Sequence, residues 1–238
     1  MKQLILTAGA IALVTLAPAM GLAAERTYDL PAFTAIDISS GIDAEVTVGG
    51  TQSIKATAPD ESHLDELKID VQNGTLKVWR DWDLDLFSLF EGLGDPKTKL
   101  TIAVPALTSA AASAGSDVDV SGMSGEAISI EASSGAELKA TDLRAVSINA
   151  NASSGSDLSA NGTCATVTVN ASSGADIDFE DLACTDATVN ASSGSDVELH
   201  ANGALKAEAS SGSDIKVRGT PKTTEIEESS GGRVDLES

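Results

Sequence analysis

Between residues 110 and 236 apolar and polar side chains alternate in step with a recurring glycine. The glycines are Gly115, Gly135, Gly155, Gly174, Gly194, Gly212 and Gly231. Three positions after them stand Val118, Leu138, Leu158, Ile177, Val197, Ile215 and Val234. Five positions after them stand Val120, Ala140, Ala160, Phe179, Leu199, Val217 and Leu236. Three positions before them the chain places Ala112, Ala132, Ala152, Ala171, Ala191 and Ala209. Even offsets carry mostly Asp, Glu, Lys, Asn, Ser and Thr. Such period-2 alternation marks strands with one face in a core and the other in water.

The glycines recur at intervals of 20, 20, 19, 20, 18 and 19 residues. A period in this range marks a solenoid, and a propeller blade would need about twice as much chain. Like residues at like places across repeats predict an all-β fold. It is a single-stranded parallel β-helix (β-solenoid) with coils of about 19 residues. Right-handedness is expected by analogy with parallel crossovers. A propeller or a sandwich is the alternative architecture. The small Ser or Ala flanking each glycine fits a tight corner between coils.

Residues 33–104 are less regular. Ile36 and Ile38 alternate, Ser39-Ser40-Gly41 repeats the corner phrase, and Ile42, Ala44, Val46 and Val48 follow. Ile69 and Val71 precede Asn73-Gly74, a hairpin signal, and Leu76 and Val78 resume the pattern. The order FTAIDISSGIDAEVTV, DELKIDVQNGTLKV, KLTIAVPAL and then glycine-serine repeats resembles the family called "putative auto-transporter adhesin, head GIN domain". The resemblance runs over residues 33–236 and implies an exported bacterial protein similar to β-helices in fold. It implies no catalytic residue.

The first 24 residues read as a signal peptide. Lys2 gives the positive start, Leu4 to Leu16 the apolar stretch, and Gly21 and Ala23 the small residues before cleavage. The apolar run is shorter than the ~20 residues a spanning helix needs. No cysteine stands near the cut, which argues against a lipid anchor. Residues 25–238 then form one β-solenoid domain, with regular repeats over 105–238, and contain no expected membrane span. The expected location is outside the cytoplasm: periplasmic, on the outer surface, or secreted.

Charge narrows the partners. The chain carries a net charge of -21, and -22 once Lys2 leaves with the leader. It therefore repels nucleic acid and anionic lipid and tolerates basic partners or divalent cations. Hydrophobic residues make up 42% of the chain, too many for disorder. Aromatics are only 3%, so the core must be aliphatic. Four of the seven aromatics, Trp79, Trp82, Phe87 and Phe90, fall in the departing segment 79–98. This insertion reads as a cap over the solenoid, which needs one against an unpaired sheet edge. The alternative is a surface patch for a partner.

Cys164 and Cys184 occupy the same slot of neighbouring coils. Stacked strands lie ~4.8 Å apart, inside the ~4.4–6.8 Å window for a disulfide, and an oxidising compartment would keep it. Two buried thiols are the alternative.

Two positions after each glycine stand Asp117, Glu137, Asp157, Asp176, Asp196 and Asp214, and finally Arg233. Stacked at ~4.8 Å, neighbouring carboxylates repel by ~0.9 kcal/mol in water before screening. That cost is bearable, so the column reads as a solvated turn column. Weak Ca²⁺ binding at Asp157, Asp176, Asp196 and Asp214 is the other reading, and no other cofactor is implied. A serine column runs beside it through Ser133, Ser153, Ser172, Ser192, Ser210 and Ser229. It could meet a glycan or serve the turns. Basic residues are sparse, and His63 and His200 lie in no metal spacing. No serine stands in a nucleophile-elbow setting with its partners. The expectation is a non-catalytic envelope protein, adhesin-like or structural, presenting a rigid acidic surface to a cell-surface glycan or an envelope protein. The alternatives are a polysaccharide-processing or polysaccharide-binding β-helix and a Ca²⁺-stabilised surface protein.

Overall fold

The structure, a computed structural model, describes residues 23–80 and 98–237. The expected leader, apart from Ala23 and Ala24, lies outside the described residues, as do Trp82, Phe87 and Phe90 of the aromatic segment. Of the described residues 69% are strand, and they form a β-solenoid of about 6 turns, with coils ~20 residues apart.

The strands are β1 (Ala24–Tyr28), β2 (Ala35–Ile38), β3 (Asp43–Val48), β4 (Ser53–Ala58), β5 (Leu67–Gln72), β6 (Thr75–Arg80) and β7 (Lys99–Val104). They continue as β8 (Ser109–Ser113), β9 (Asp117–Ser121), β10 (Ser124–Ser133), β11 (Glu137–Ser153), β12 (Asp157–Ser172) and β13 (Asp176–Ser192). The last coils hold β14 (Asp196–Ala201), β15 (Ala204–Ala209), β16 (Asp214–Arg218), β17 (Thr223–Glu228) and β18 (Arg233–Glu237). Among the described residues one helix, α1 (Glu61–Glu66), interrupts them.

From β8 onward successive coils pair in parallel and in register. Leu158 lies between Leu138 and Ile177, and Ile177 is followed by Val197, Ile215 and Val234. From Leu138 to Ile215 this ladder is at most 2% exposed, so the odd offsets build the core. Each coil folds into two main faces. The front face stacks β8, β10, the C-terminal halves of β11, β12 and β13, then β15 and β17. The back face stacks β9, the N-terminal halves of β11, β12 and β13, then β14, β16 and β18. Short bends join back to front within a coil, with register shifts at Ser159/Gly162 and Phe179/Ala183.

The corner from front to back is a turn with two left-handed residues. In one coil these are Ser154 (φ 59) and Gly155 (φ 64), and the pattern recurs at every SSG or SAG. A type I′ turn needs positive φ at both central positions. Nothing lies within 4 Å of a Cβ built on Gly155, so conformation, not room, selects glycine there. Gly162 is the opposite case: a Cβ would stand 2.2 Å from the Leu143 carbonyl oxygen of the adjacent coil.

From Gly41 to Gly212 the residue after the corner glycine turns inward. Ser156, Ser195 and Ser213 are fully buried, and each hydroxyl donates to an alanine carbonyl of an earlier coil: Ala132 (2.9 Å), Ala171 (3.2 Å) and Ala191 (2.9 Å). Each also accepts from the backbone N–H of Ser153, Ser192 or Ser210. Ala136 and Ala175 take the same inward position without a hydroxyl.

The N-terminal region departs from simple winding. The coil made by β2 and β3 lies between the coil of β6 and β7 and the coil of β8 and β9. Spatial order therefore differs from chain order. β5 pairs antiparallel with β6 through Asn73-Gly74, β4 antiparallel with β7, and β1 antiparallel with β4. These strands close that end, and α1 seats Leu64, fully buried, beside them. The helix starts at Asp60, whose side chain accepts from the backbone N–H groups of Ser62 and His63. With the Ser62 hydroxyl and His63 ring also bonded to it, the Asp60 carboxyl is held down at about 2.

Candidate functional site

Alternation that buries odd offsets must expose even ones, and register then turns each even offset into a column along the solenoid. The two faces carry unlike columns.

On the back face the column two positions after the glycine runs through Asp43, Asp117, Glu137, Asp157, Asp176, Asp196 and Asp214. Lys99 ends it on one side and Arg233 on the other. Asp43 and Lys99 extend the column beyond what the sequence predicts. Gly41, two residues before Asp43, was the available signal. A second outward column holds Glu45, Asp119, Asp178 and Glu198 with Lys139 and Lys216 among them. Lys99 pairs with Glu45 at 2.7 Å and Lys216 with Glu198 at 2.5 Å. The hydrogen bond from Lys216 is the main reason the Glu198 carboxyl titrates below the ordinary range.

Between these columns lies a shallow depression of about 400 Å³, bordered by Glu137, Asp157, Asp176, Asp178, Asp196 and Glu198. Asp176 sits mid-column, and its carboxyl titrates above the ordinary range, first through burial and then through Asp196 and Asp157. Among the described residues no group of three or more His, Cys, Asp or Glu side chains converges to hold a metal ion. Asp157, Asp176, Asp196 and Asp214 stand as a row, one per coil.

The shift at Asp176 has a consequence for stability. Its folded pKa lies above its unfolded one, so the folded chain binds this proton more tightly. Ionisation therefore costs stability at all pH above the folded value, and the cost is relieved as pH falls through it. Asp176→Asn is expected to raise the neutral-pH unfolding free energy by at most about 1 kcal/mol, and by less in high salt. Below pH ~3 the gain should vanish. Urea denaturation at pH 7 and pH 3 measures this, and a variant less stable at pH 7 contradicts it.

The front face is different. Its central outward side chains are Ser147, Asn149, Asn151 and Ser153, then Thr166, Thr168, Asn170 and Ser172, then Asp186, Thr188, Asn190 and Ser192. Asn170 Nδ2 donates to Asn151 Oδ1 at 3.0 Å, and Asn190 Nδ2 to Asn170 Oδ1 at 3.0 Å. Asp186 turns its carboxylate to the backbone N–H of Ala204 at 2.7 Å. The serine column expected from the sequence stands here, in register from Ser133 to Ser192.

Trp79 belongs to the same face. It is an outward residue of β6, half-buried, one position past Val78, which pairs with Ile38. With Asp37, Ser39, Gln72 and Lys77 it borders a cavity of about 320 Å³, where Lys77 pairs with Asp37 at 3.0 Å.

The remaining candidates are structural or dispersed. Cys164 and Cys184 are disulfide-bonded across adjacent coils, with Cα atoms 4.5 Å apart. His63 meets Asp60 at the start of α1, and His200 meets Asn202 in the bend after β14. The buried corner serines use their hydroxyls on backbone groups.

The model of the family described as "Putative auto-transporter adhesin, head GIN domain" matches residues 32–221. No curated protein matches the chain. A crystal structure of a putative adhesin from Bacteroides fragilis is similar, with a TM-score of 0.82 and 17% identity, over 90% of this chain and 97% of that one. A putative lipid binding protein from Parabacteroides distasonis is similar with a TM-score of 0.72 and 16% identity, over 92% and 98%. A putative adhesin from Parabacteroides merdae follows at 0.67 and 15%, over 92% and 97%. At such identity these likenesses show a shared fold. Among the described residues no helix is long and apolar enough to cross a membrane.

Proposed function

This chain belongs to the "Putative auto-transporter adhesin, head GIN domain" family, and from that membership we propose that it is an exported, non-catalytic protein of the cell envelope. It presents a rigid, largely acidic β-helical body whose surface meets a partner, in the manner of an adhesin. One observation carries the reading. Coils stacked in register convert a short repeat into uninterrupted outward columns, a surface built for extended contact.

Further features support it. The leader pattern of residues 1–24 fits export, and a disulfide persists in the oxidising compartments that export leads to. The net charge keeps such a rod soluble and away from anionic lipid and nucleic acid. Residues 25–238 act as one solenoid unit, with the aromatic segment as its cap or as part of its partner patch.

The test is to express the full chain with its leader and follow both its fate and its binding. It should leave the cytoplasm with the leader removed, and beads coated with the purified product should be retained on envelope material. A chain that stays cytoplasmic and uncleaved, or that turns over glycosidic substrates, would overturn the reading.

A further inference from the structure

The solenoid is electrically two-sided, and this points to where a partner docks and to its chemistry. The back face concentrates the acids. The centre of the front face from β8 to β13 exposes serine, threonine, asparagine and small alanine side chains with one glutamate, Glu131, and one aspartate, Asp186, while Glu126 and Val146 are exposed at its edge beside the bend. Asp186 is already bonded to backbone. In a chain of net charge -21, so neutral a sheet stands apart.

The sheets of a two-faced coil lie ~10 Å apart, and the Debye length at physiological salt is ~8 Å. The acid columns therefore reach the front surface weakened, as a general negative potential and not as local charges. Rows repeat every ~4.8 Å along the axis, and alternate residues every ~6.6 Å along each strand. The result is a flat grid of hydroxyl and carboxamide groups. Within the asparagine ladder, one N–H of Asn170 and Asn190 bonds to the neighbouring amide. Each amide has a second N–H and a further acceptor lone pair to offer outward.

This surface suits few ligands. Protein interfaces rely on clustered aromatic, Arg or large aliphatic anchors, and the central outward side chains of β8 to β13 on this face include none; Val146, 59% exposed, stands alone at its edge, where β11 leaves the bend. An acidic polymer would meet Glu131 and the net negative charge of the whole rod. A polymer of neutral hydroxyls matches a grid of neutral donors and acceptors. Among the described residues, the aromatic of this face is Trp79, which stands at the end of the same serine column, beside a cavity of about 320 Å³. A half-buried indole offers a flat apolar surface with a polar edge, suited to the C–H face of a sugar ring.

We propose that the front face, from the Trp79 cavity to the rows of β13, docks an uncharged polysaccharide lying along the solenoid axis. Seven rows from β6 to β13 give a track of ~29 Å. Trp79 stacks under a sugar at one end. The Ser, Thr and Asn columns bond to hydroxyls along the rest. This rests on the adhesive reading above and names its partner.

Affinity electrophoresis of the full mature protein tests it, in gels containing neutral hydroxyethyl cellulose, glucomannan or dextran, or anionic alginate. At least one neutral polymer should retard the protein, and alginate should not. Trp79→Ala and the double variant Thr168→Ala/Asn170→Ala should each weaken retardation at least fivefold. The back-face double variant Asp176→Asn/Asp196→Asn should match the parent. Thermal melting confirms that each outward variant is folded. Retardation by alginate alone, by no polymer, or lost equally in the back-face variant overturns the proposal. If the protein then still clings to envelope material, the adhesive reading survives and only this site fails. If it binds neither, both fail.

Discussion

Phe179→Ala is expected to cost about 3–5 kcal/mol of unfolding free energy. Phe179 is 1% exposed and stands in the ladder five positions after the corner glycine. That ladder narrows to Ala140 and Ala160 in the two preceding coils and continues as Leu199 in the next. The ring fills space that two methyl side chains leave open. Truncating it would place a third alanine in succession and open a cavity that the hydrogen-bonded coils cannot collapse to fill. Each repeat contacts only its neighbours, so such a hole weakens the junction between two coils. Urea denaturation should show the loss, with hydrogen exchange quickening first at β13 and β14. The outward neighbour Asp178→Ala should stay within about 0.5 kcal/mol of the parent. A Phe179→Ala loss below ~1 kcal/mol would mean the ladder is not packed as described.

Removal of the Cys164–Cys184 bond is the second large effect. It closes a loop of sequence separation 20, which the chain-entropy relation values at about 3 kcal/mol. Its position adds to this. The ladder between β12 and β13 shifts register between Ser159 and Gly162, and that between β13 and β14 between Phe179 and Ala183. The staple sits beside both irregularities, where regular backbone pairing is interrupted. The Cys164→Ala/Cys184→Ala variant should unfold at lower urea. Amides of Leu182 to Cys184 should exchange faster than those of Val167 to Ala171. An unchanged midpoint in the double variant would show that the backbone alone secures this bend.

The part of the fold that repeats was legible in the sequence because repetition exposes parity. Leu158, Ile177 and Val197 share an offset, and only stacked coils give all three the same buried place. The disulfide was legible for the same reason. The order of the N-terminal coils was not. Ile36, Val46, Leu76 and Ile102 alternate alike whether their strands run parallel or antiparallel, and alternation carries no record of which coil lies next to which. α1 was missed although Asp60, following Pro59, is a ready N-cap before Glu61. Its six residues are too few to establish a helical period.

The candidate site was legible in half. The acid column could be read from Asp117 to Asp214 because its members share one offset and one charge. The neutral front face mixes Ser, Thr and Asn over several offsets, so its uniformity emerges only when the rows are laid side by side. The inward turn of Ser156, Ser195 and Ser213 was likewise hidden. They stand one residue past glycine, an odd offset like the core positions that follow, but a polar residue in a turn gives no sign of burial.

Spin labels at Ser109→Cys and Thr188→Cys, with the native disulfide intact, measure the register directly. These positions share a front-face column through Ser129, Asn149 and Thr168. Four steps of ~4.8 Å separate their backbones by ~19 Å. The account predicts a single narrow distribution consistent with that spacing. A broad distribution, or one centred beyond ~35 Å, would contradict the stacking on which both faces depend.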